Sequence, residues 1–92
     1  MKYIVYDHEV TGQDEEGRIL ARVTFPFAAD RVVDLDHTTV DASLRGQGIA
    51  GCLLEKAAEK IRQEGWKTRT SCSYAEKWFA KHPEHQDLLD RM

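Results

Sequence analysis

Hydrophobic and polar residues alternate with two different periods along this chain, and each change of period marks an element. Lys2 to Val10 is rich in Tyr, Ile and Val and reads as a first strand. Gly12 to Gly17 is a polar turn. Arg18 to Phe25 then alternates, with Ile19, Ala21, Val23 and Phe25 on one face and Arg18, Leu20, Arg22 and Thr24 on the other. Pro26 ends this run or marks an edge. Arg31 to Val40 is a third strand, in which period two places Val33, Leu35, His37 and Thr39 together and Asp34, Asp36 and Thr38 opposite them. After the loop Asp41 to Leu44 the period lengthens. Ile49, Ala50, Leu53, Leu54, Ala57, Ala58 and Ile61 form one stripe of a long helix, and Gly65 is its expected stop. Trp66 to Ser71 reads as a short fourth strand. Ser73 to Lys81 suggests a second helix, with Ser73 as its N-cap. His82-Pro83 breaks it, and Glu84 to Asp90 forms a last short helix.

The predicted order is β-β-β-α-β-α-α, an α/β (α+β) fold on a mixed sheet. Strand three, the long helix and strand four make one βαβ unit, so those two strands run parallel, while the first three form an antiparallel meander. Ninety-two residues suit a single domain spanning 1–92. With 41% hydrophobic and 32% charged residues the chain can fill one core and keep a soluble surface, which argues against disorder. The net charge of −3, with both signs interspersed, argues against a general nucleic-acid binder. No apolar run approaches a membrane span and the first residues meet a charge too soon for a signal peptide, so no membrane partner and a cytoplasmic location are expected. Cys52 and Cys72 show no zinc-type spacing, and Asp34, Asp36 and Asp41 lack the completion of a calcium loop, so no metal site is expected.

Arg45-Gly46-Gln47-Gly48-Ile49-Ala50-Gly51 carries the chemistry. It opens the long helix directly after a strand and loop. A helix N-terminus offers unpaired N–H groups and a partial positive charge, and glycines let an anion approach the backbone closely. Arg45 adds a fixed charge. Pyrophosphate binding and an ordinary steric turn both fit. Two patterns overlap here. Gly46 to Gly51 fits GxGxxG, but Glu64, at the spacing of a dinucleotide site's acidic residue, falls at the helix end, before the next strand. Arg45, Gly48 and Ala50 form Arg-x-x-Gly-x-Ala, five residues after Val40.

That second pattern resembles the acyl-CoA signature of the GNAT N-acetyltransferase superfamily. Leu35-x-His37-Thr38-x-Val40, Arg45 to Ala50, Thr70-x-Cys72-x-Tyr74, and His82-Pro83-Glu84 with Asp87-Leu88 together resemble the small, single-domain GNAT-like family with an active-site cysteine. The motifs cover residues 35 to 88, and the first thirty residues match only in strand pattern. Many members place proline beside the cysteine, where Ser71 or Ser73 stands here.

The resemblance implies a GNAT-like acyl-CoA N-acyltransferase fold that binds acetyl-CoA. The pyrophosphate would rest on the backbone of Arg45, Gly46, Gln47, Gly48, Ile49 and Ala50. The pantetheine arm would run beside Thr39 and Val40, and the thioester would lie near His37 and Cys72. A thiol directly before a helix is favoured as thiolate. Cys72 then either accepts the acetyl group with His37 as base, or lines a pocket in which the amine attacks directly, with His37 as base and Tyr74 as acid. The acceptor is an amine, small molecule or protein, of unspecified identity, and oligomeric state is left open. A non-catalytic acyl-CoA-binding or protein-interaction module is the alternative, and a nucleotide-binding half-domain a third. Cys52 is expected among charged residues without chemistry, His8 and His85 as surface histidines, His82 in a capping role, and Trp66, Trp78 and Phe79 as packing residues. An N-terminal half this short leaves the acceptor side open.

Overall fold

The computed structural model describes residues 1–90. Among them the chain forms β1 (Lys2–Val5), β2 (Glu9–Gln13), β3 (Ile19–Thr24), β4 (Phe27–Ala29), β5 (Val32–Asp34) and β6 (His37–Val40). A 3₁₀ turn at Ala42–Leu44, α1 (Ile49–Glu64), β7 (Lys67–Arg69), α2 (Ser73–Ala80) and a 3₁₀ segment at Pro83–Leu88 follow. One sheet has the order β1-β2-β3-β6 and is antiparallel throughout. The other has the order β4-β5-β7, antiparallel between β4 and β5 and parallel between β5 and β7. The parallel pair is the one required by the β5–α1–β7 crossover, so the mixed α+β reading holds.

The long helix forms where its apolar stripe predicts. Leu53, Leu54, Ala57, Ala58 and Ile61 are buried. Gly48 and Gly65 bracket the helix with left-handed backbone, φ 74° and 72°. The stripe packs across β2 and β3, against Val10, Ala21, Val23 and Phe25. Each fully buried aliphatic side chain in this layer stabilises the fold by about 1.5–3 kcal/mol. Trp78, Phe79 and Leu88 close one end of the core.

Several strand boundaries differ from the pattern reading. The run Lys2 to Val10 is two antiparallel strands, because Tyr6 N–H donates to the Glu9 carbonyl at 2.7 Å and turns the chain. Gly12 and Gln13 belong to β2, and the polar turn begins at Asp14, whose carboxylate accepts from the N–H groups of Glu16 and Arg18. A Cβ at Gly12 would lie 2.7 Å from Met1 Sδ, on a flexible side chain that can move aside. Ile19 is exposed, since the register slips between Gly12 and Gln13. Pro26 leads into β4, and the β4–β5 hairpin turns at Arg31, φ 59°. The fourth strand shrinks to Lys67–Arg69. Cys72, not Ser73, is the N-cap of α2, and the last helix is 3₁₀ rather than α.

The third strand differs most. It splits after Asp34, with β5 pairing to β7 in one sheet and β6 pairing to β3 in the other. Two aspartates pin the split. Asp34 accepts from Ser71 on the β7 side, and Asp36 accepts from the Thr24 hydroxyl on the β3 side at 2.5 Å. The break reverses the alternation. Thr38 and Val40 stand opposite Val23 and Ala21, both buried, so they face α1. His37 and Thr39 stand opposite Thr24 and Arg22 and face outward, and both are exposed. The expectation that His37 shares the layer of Val33 and Leu35 is therefore corrected.

Candidate active site

β6 is an edge strand, and β7 lies in the other sheet. The two sheets part beyond Leu35, and a cavity of about 460 Å³ opens there. One wall is Thr38 and Val40 of β6. The floor is the turn Leu44, Arg45, Gly46 and Gly48 with the helix start Ile49 and Ala50, and Tyr74 of α2 stands opposite.

The turn could hold an anion. Asp41 caps the 3₁₀ turn, its carboxylate accepting from Ser43 N–H at 3.0 Å and from Ser43 Oγ at 2.5 Å. These bonds, the hydroxyl's first, hold the carboxyl below its usual range. Gly46 and Gly48 both have positive φ, 84° and 74°, and no atom lies within 4 Å of a Cβ built at either. Glycine is thus demanded by backbone conformation, and the space beside it is open. Gly48 offers α1 no side-chain cap, and the first turn holds no acidic residue. Its N–H groups and Arg45 are left facing a potential anion.

Cys72 sits at the edge of this cavity. Its N–H donates to the Leu35 carbonyl at 3.0 Å and its carbonyl accepts from Glu76 N–H at 3.0 Å, which starts α2. The thiol lies 3.6 Å from the Thr38 hydroxyl. Burial pushes the Cys72 thiol up, but the Ala75 N–H, the Thr38 hydroxyl and the Tyr74 and Thr38 N–H groups outweigh it, and the pKa falls below the ordinary cysteine value. The donors are uncharged and fixed in the backbone and one side chain. These donors favour the thiolate form, and no histidine is among them.

Of the residues singled out from the sequence, Val40, Arg45, Gly46, Gly48, Ile49, Ala50 and Tyr74 line one cavity, and Cys72 touches its Thr38 wall. Thr39 does not. It lines a second hollow of about 480 Å³ on the outer face with Arg22 and Asp41. Gln47 lines neither. His37 is exposed, and no hydrogen bond joins it to Cys72 among the described residues. Thr38 and Leu44 are the site residues that pattern reading missed. Counting back from Val40 at the strand end, rather than forward from Val33, would have turned Thr38 inward.

The other singled-out residues fall outside the cavity. His85 is buried, not on the surface, with Nε2 2.8 Å from Glu55 and Nδ1 3.3 Å from Arg62. The tautomer protonated at Nε2 satisfies both partners. His8 is half-buried, stacked on Trp66 at 5.1 Å and edge-on to Phe27 at 4.5 Å. His82 Nδ1–H donates to the Trp78 carbonyl at 2.7 Å, and its ring stacks on Trp78. Cys52 is exposed on α1.

A glycine-rich turn at a helix start, below an edge strand that has left its parallel neighbour, is the arrangement of the acyl-CoA N-acyltransferase fold. Residues 8–88 match the GCN5-related N-acetyl-transferase family, and the chain belongs to it. A GCN5-like protein from Staphylococcus aureus, a candidate N-acetyltransferase solved by NMR, superposes with TM-score 0.79 at 28% identity, over 99% of this chain and 89% of that one. The GNAT family N-acetyltransferase YhbS from Escherichia coli, crystallised with CoA, shares the fold with TM-score 0.61 at 24% identity, over 67% of this chain and 38% of that one. Protein NATD1 of Homo sapiens is 34% identical over 68 residues, 74% of this chain and 60% of its own length. The chicken protein NATD1 is likewise 34% identical over 68 residues. This chain therefore spans about three-fifths of the curated relatives it matches.

Proposed function

We propose that this chain transfers an acetyl group from acetyl-CoA to an amine, and that Cys72 carries the group between them. The observation behind this reading is the thiol beside the Thr38 wall, lowered in pKa by fixed donors, next to the anion-binding turn. The turn from Arg45 to Ala50 holds the pyrophosphate, and the free edge of β6 near Thr39 and Val40 guides the pantetheine arm toward Thr38. The Cys72 thiolate attacks the thioester carbonyl. The carbonyl carbon–sulfur bond to CoA breaks, and CoA leaves as a thiolate that takes a proton. The amine then attacks acetyl-Cys72, the carbon–nitrogen bond forms, and the Cys72 sulfur leaves as thiolate. The amine's proton passes to solvent, because His37 faces the outer side of β6, away from the thiol. A free thiol and an acetyl-CoA donor both suit the cytoplasm.

Direct attack of the amine on acetyl-CoA is the second route. It is favoured by Tyr74, whose ring lines the cavity and whose hydroxyl could protonate the departing CoA. Incubation with acetyl-CoA followed by intact-mass measurement separates the two. The covalent route gives a mass increase of one acetyl group that is absent in Cys72→Ala. Full transfer activity in Cys72→Ala, on an acceptor found by amine screening, would refute it. Titration with CoA tests the donor site itself, and absence of binding would remove both routes.

A further inference from the structure

The segment that carries Cys72 is held by an irregularity in the parallel ladder. Leu35 N–H donates to the Arg69 carbonyl at 2.9 Å. In a regular parallel ladder the Leu35 carbonyl would then accept from the residue two beyond Arg69, which is Ser71. It accepts from Cys72 instead, at 3.0 Å. One residue has been inserted, and its N–H is left without a ladder partner. Asp34 supplies the partner. Its Oδ1 accepts from Ser71 N–H at 3.0 Å and its Oδ2 from Ser71 Oγ at 2.6 Å. The two residues are 37 positions apart, so the carboxylate ties the start of α2 to the end of β5.

We propose that Asp34 is a positioning residue for Cys72: its carboxylate captures the N–H and hydroxyl of Ser71 and so fixes the backbone that holds the thiol against Thr38. The proposal rests on the reading of Cys72 as a nucleophile. Two arguments support it. Cys72 has its own N–H on Leu35, the residue after Asp34, so the bulge is clamped on both sides of its extra residue. The donors around the thiol act only at hydrogen-bonding distance, so a small rotation of residues 71–72 would lose them.

The sign of the effect separates positioning from simple electrostatics. A carboxylate near a thiol opposes the thiolate, so if Asp34 acted only through its charge, removing it would speed thiol chemistry. Positioning predicts the reverse. The experiment measures the iodoacetamide alkylation rate of Cys72 across pH in a Cys52→Ser background, with CoA titration and circular dichroism on the same proteins. Asp34→Ala should slow alkylation at neutral pH by about tenfold, the equivalent of about one hydrogen bond to the thiolate, and move the profile to higher pH. Asp34→Asn, which still accepts from Ser71 N–H, should recover most of the rate. CoA affinity should stay within about twofold of the parent, since the phosphate turn is separate. Alkylation of Asp34→Ala at the parent rate or faster overturns the proposal. If Asp34→Ala does not fold, Ser71→Ala removes one arm of the clamp and should slow the reaction by about threefold, less than a full charged hydrogen bond would cost. The parent rate there would overturn the proposal equally. Alkylation needs no acetyl transfer. A slow Asp34→Ala therefore supports the clamp even if the parent forms no acetyl adduct, a result that would sink the acetyl-cysteine reading alone.

Discussion

Gly48 and Gly65 form a matched pair in which one residue serves the cavity and the other does not. Both have left-handed backbone at the two ends of α1, φ 74° and 72°. An alanine at either position meets the same backbone penalty, about 1–2 kcal/mol. In a domain of this length that lowers the melting temperature by roughly 4–8 °C per kcal/mol. Their surroundings differ. A Cβ at Gly48 meets nothing within 4 Å and points into the open turn, whereas at Gly65 it lies 3.3 Å from Arg31 Nη2, on a flexible side chain. Gly48→Ala and Gly65→Ala should therefore lose similar stability. Gly48→Ala alone should weaken CoA binding, by about ten- to a hundredfold, because the methyl group occupies the space the phosphate needs and the strained turn no longer presents its N–H groups. Thermal melts monitored by circular dichroism give the first quantity and calorimetric titration with CoA the second. Equal loss of CoA affinity in both variants would mean that the effect is global, and parent-like binding in Gly48→Ala would mean that the pyrophosphate lies elsewhere.

Three further expectations follow from the same contacts. The pH profile of Cys72 alkylation in a Cys52→Ser background should lie below that of free N-acetylcysteine, and Thr38→Val should move it back upward; a profile unmoved by Thr38→Val would remove the hydroxyl from the account. With its pKa lowered in the folded state, Cys72 adds stability fully above the ordinary thiol pKa, and that increment is lost as pH falls through the folded value. Leu53→Ala opens a fully buried site between α1 and the β2–β3 sheet, and should cost about 2–5 kcal/mol in urea unfolding, with a loss under about 1 kcal/mol refuting the packing. His85→Ala removes a buried ring that bridges Glu55 and Arg62, and should cost about 1–3 kcal/mol while leaving CoA affinity intact; an unchanged unfolding midpoint would mean water replaces the ring.

The helix and its C-terminal glycine stop were legible because both signals are local. The stripe from Leu53 to Ile61 repeats at the helical period, and Gly65 sits where a left-handed C-terminal cap falls. The glycine-rich turn that opens the helix was legible for the same reason. The split of the third strand was not. Nothing in Val33-Asp34-Leu35-Asp36-His37 interrupts alternation, and the break comes from pairing with two distant partners, β7 and β3. His37 was misplaced by that one undetected step, and Thr38 was missed with it. The β1–β2 turn escaped because Tyr6, Asp7 and His8 carry no glycine or proline. The role of Ser71 was invisible as well, since its partner Asp34 is remote in sequence and close only through the parallel crossover.

The separation of the chain into two sheets also sets an order of assembly. β1, β2 and β3 are joined by short turns, so their pairing closes small loops and forms early. The β5–β7 pairing must wait until β6 and all of α1 have been laid down between the two strands. The Asp34–Ser71 clamp and the start of α2 depend on that pairing. The thiol and the wall it faces therefore come together only once that long-range pairing has formed, and native-state hydrogen exchange should find the amides of residues 69–72 opening at lower free energy than those of β2 and β3.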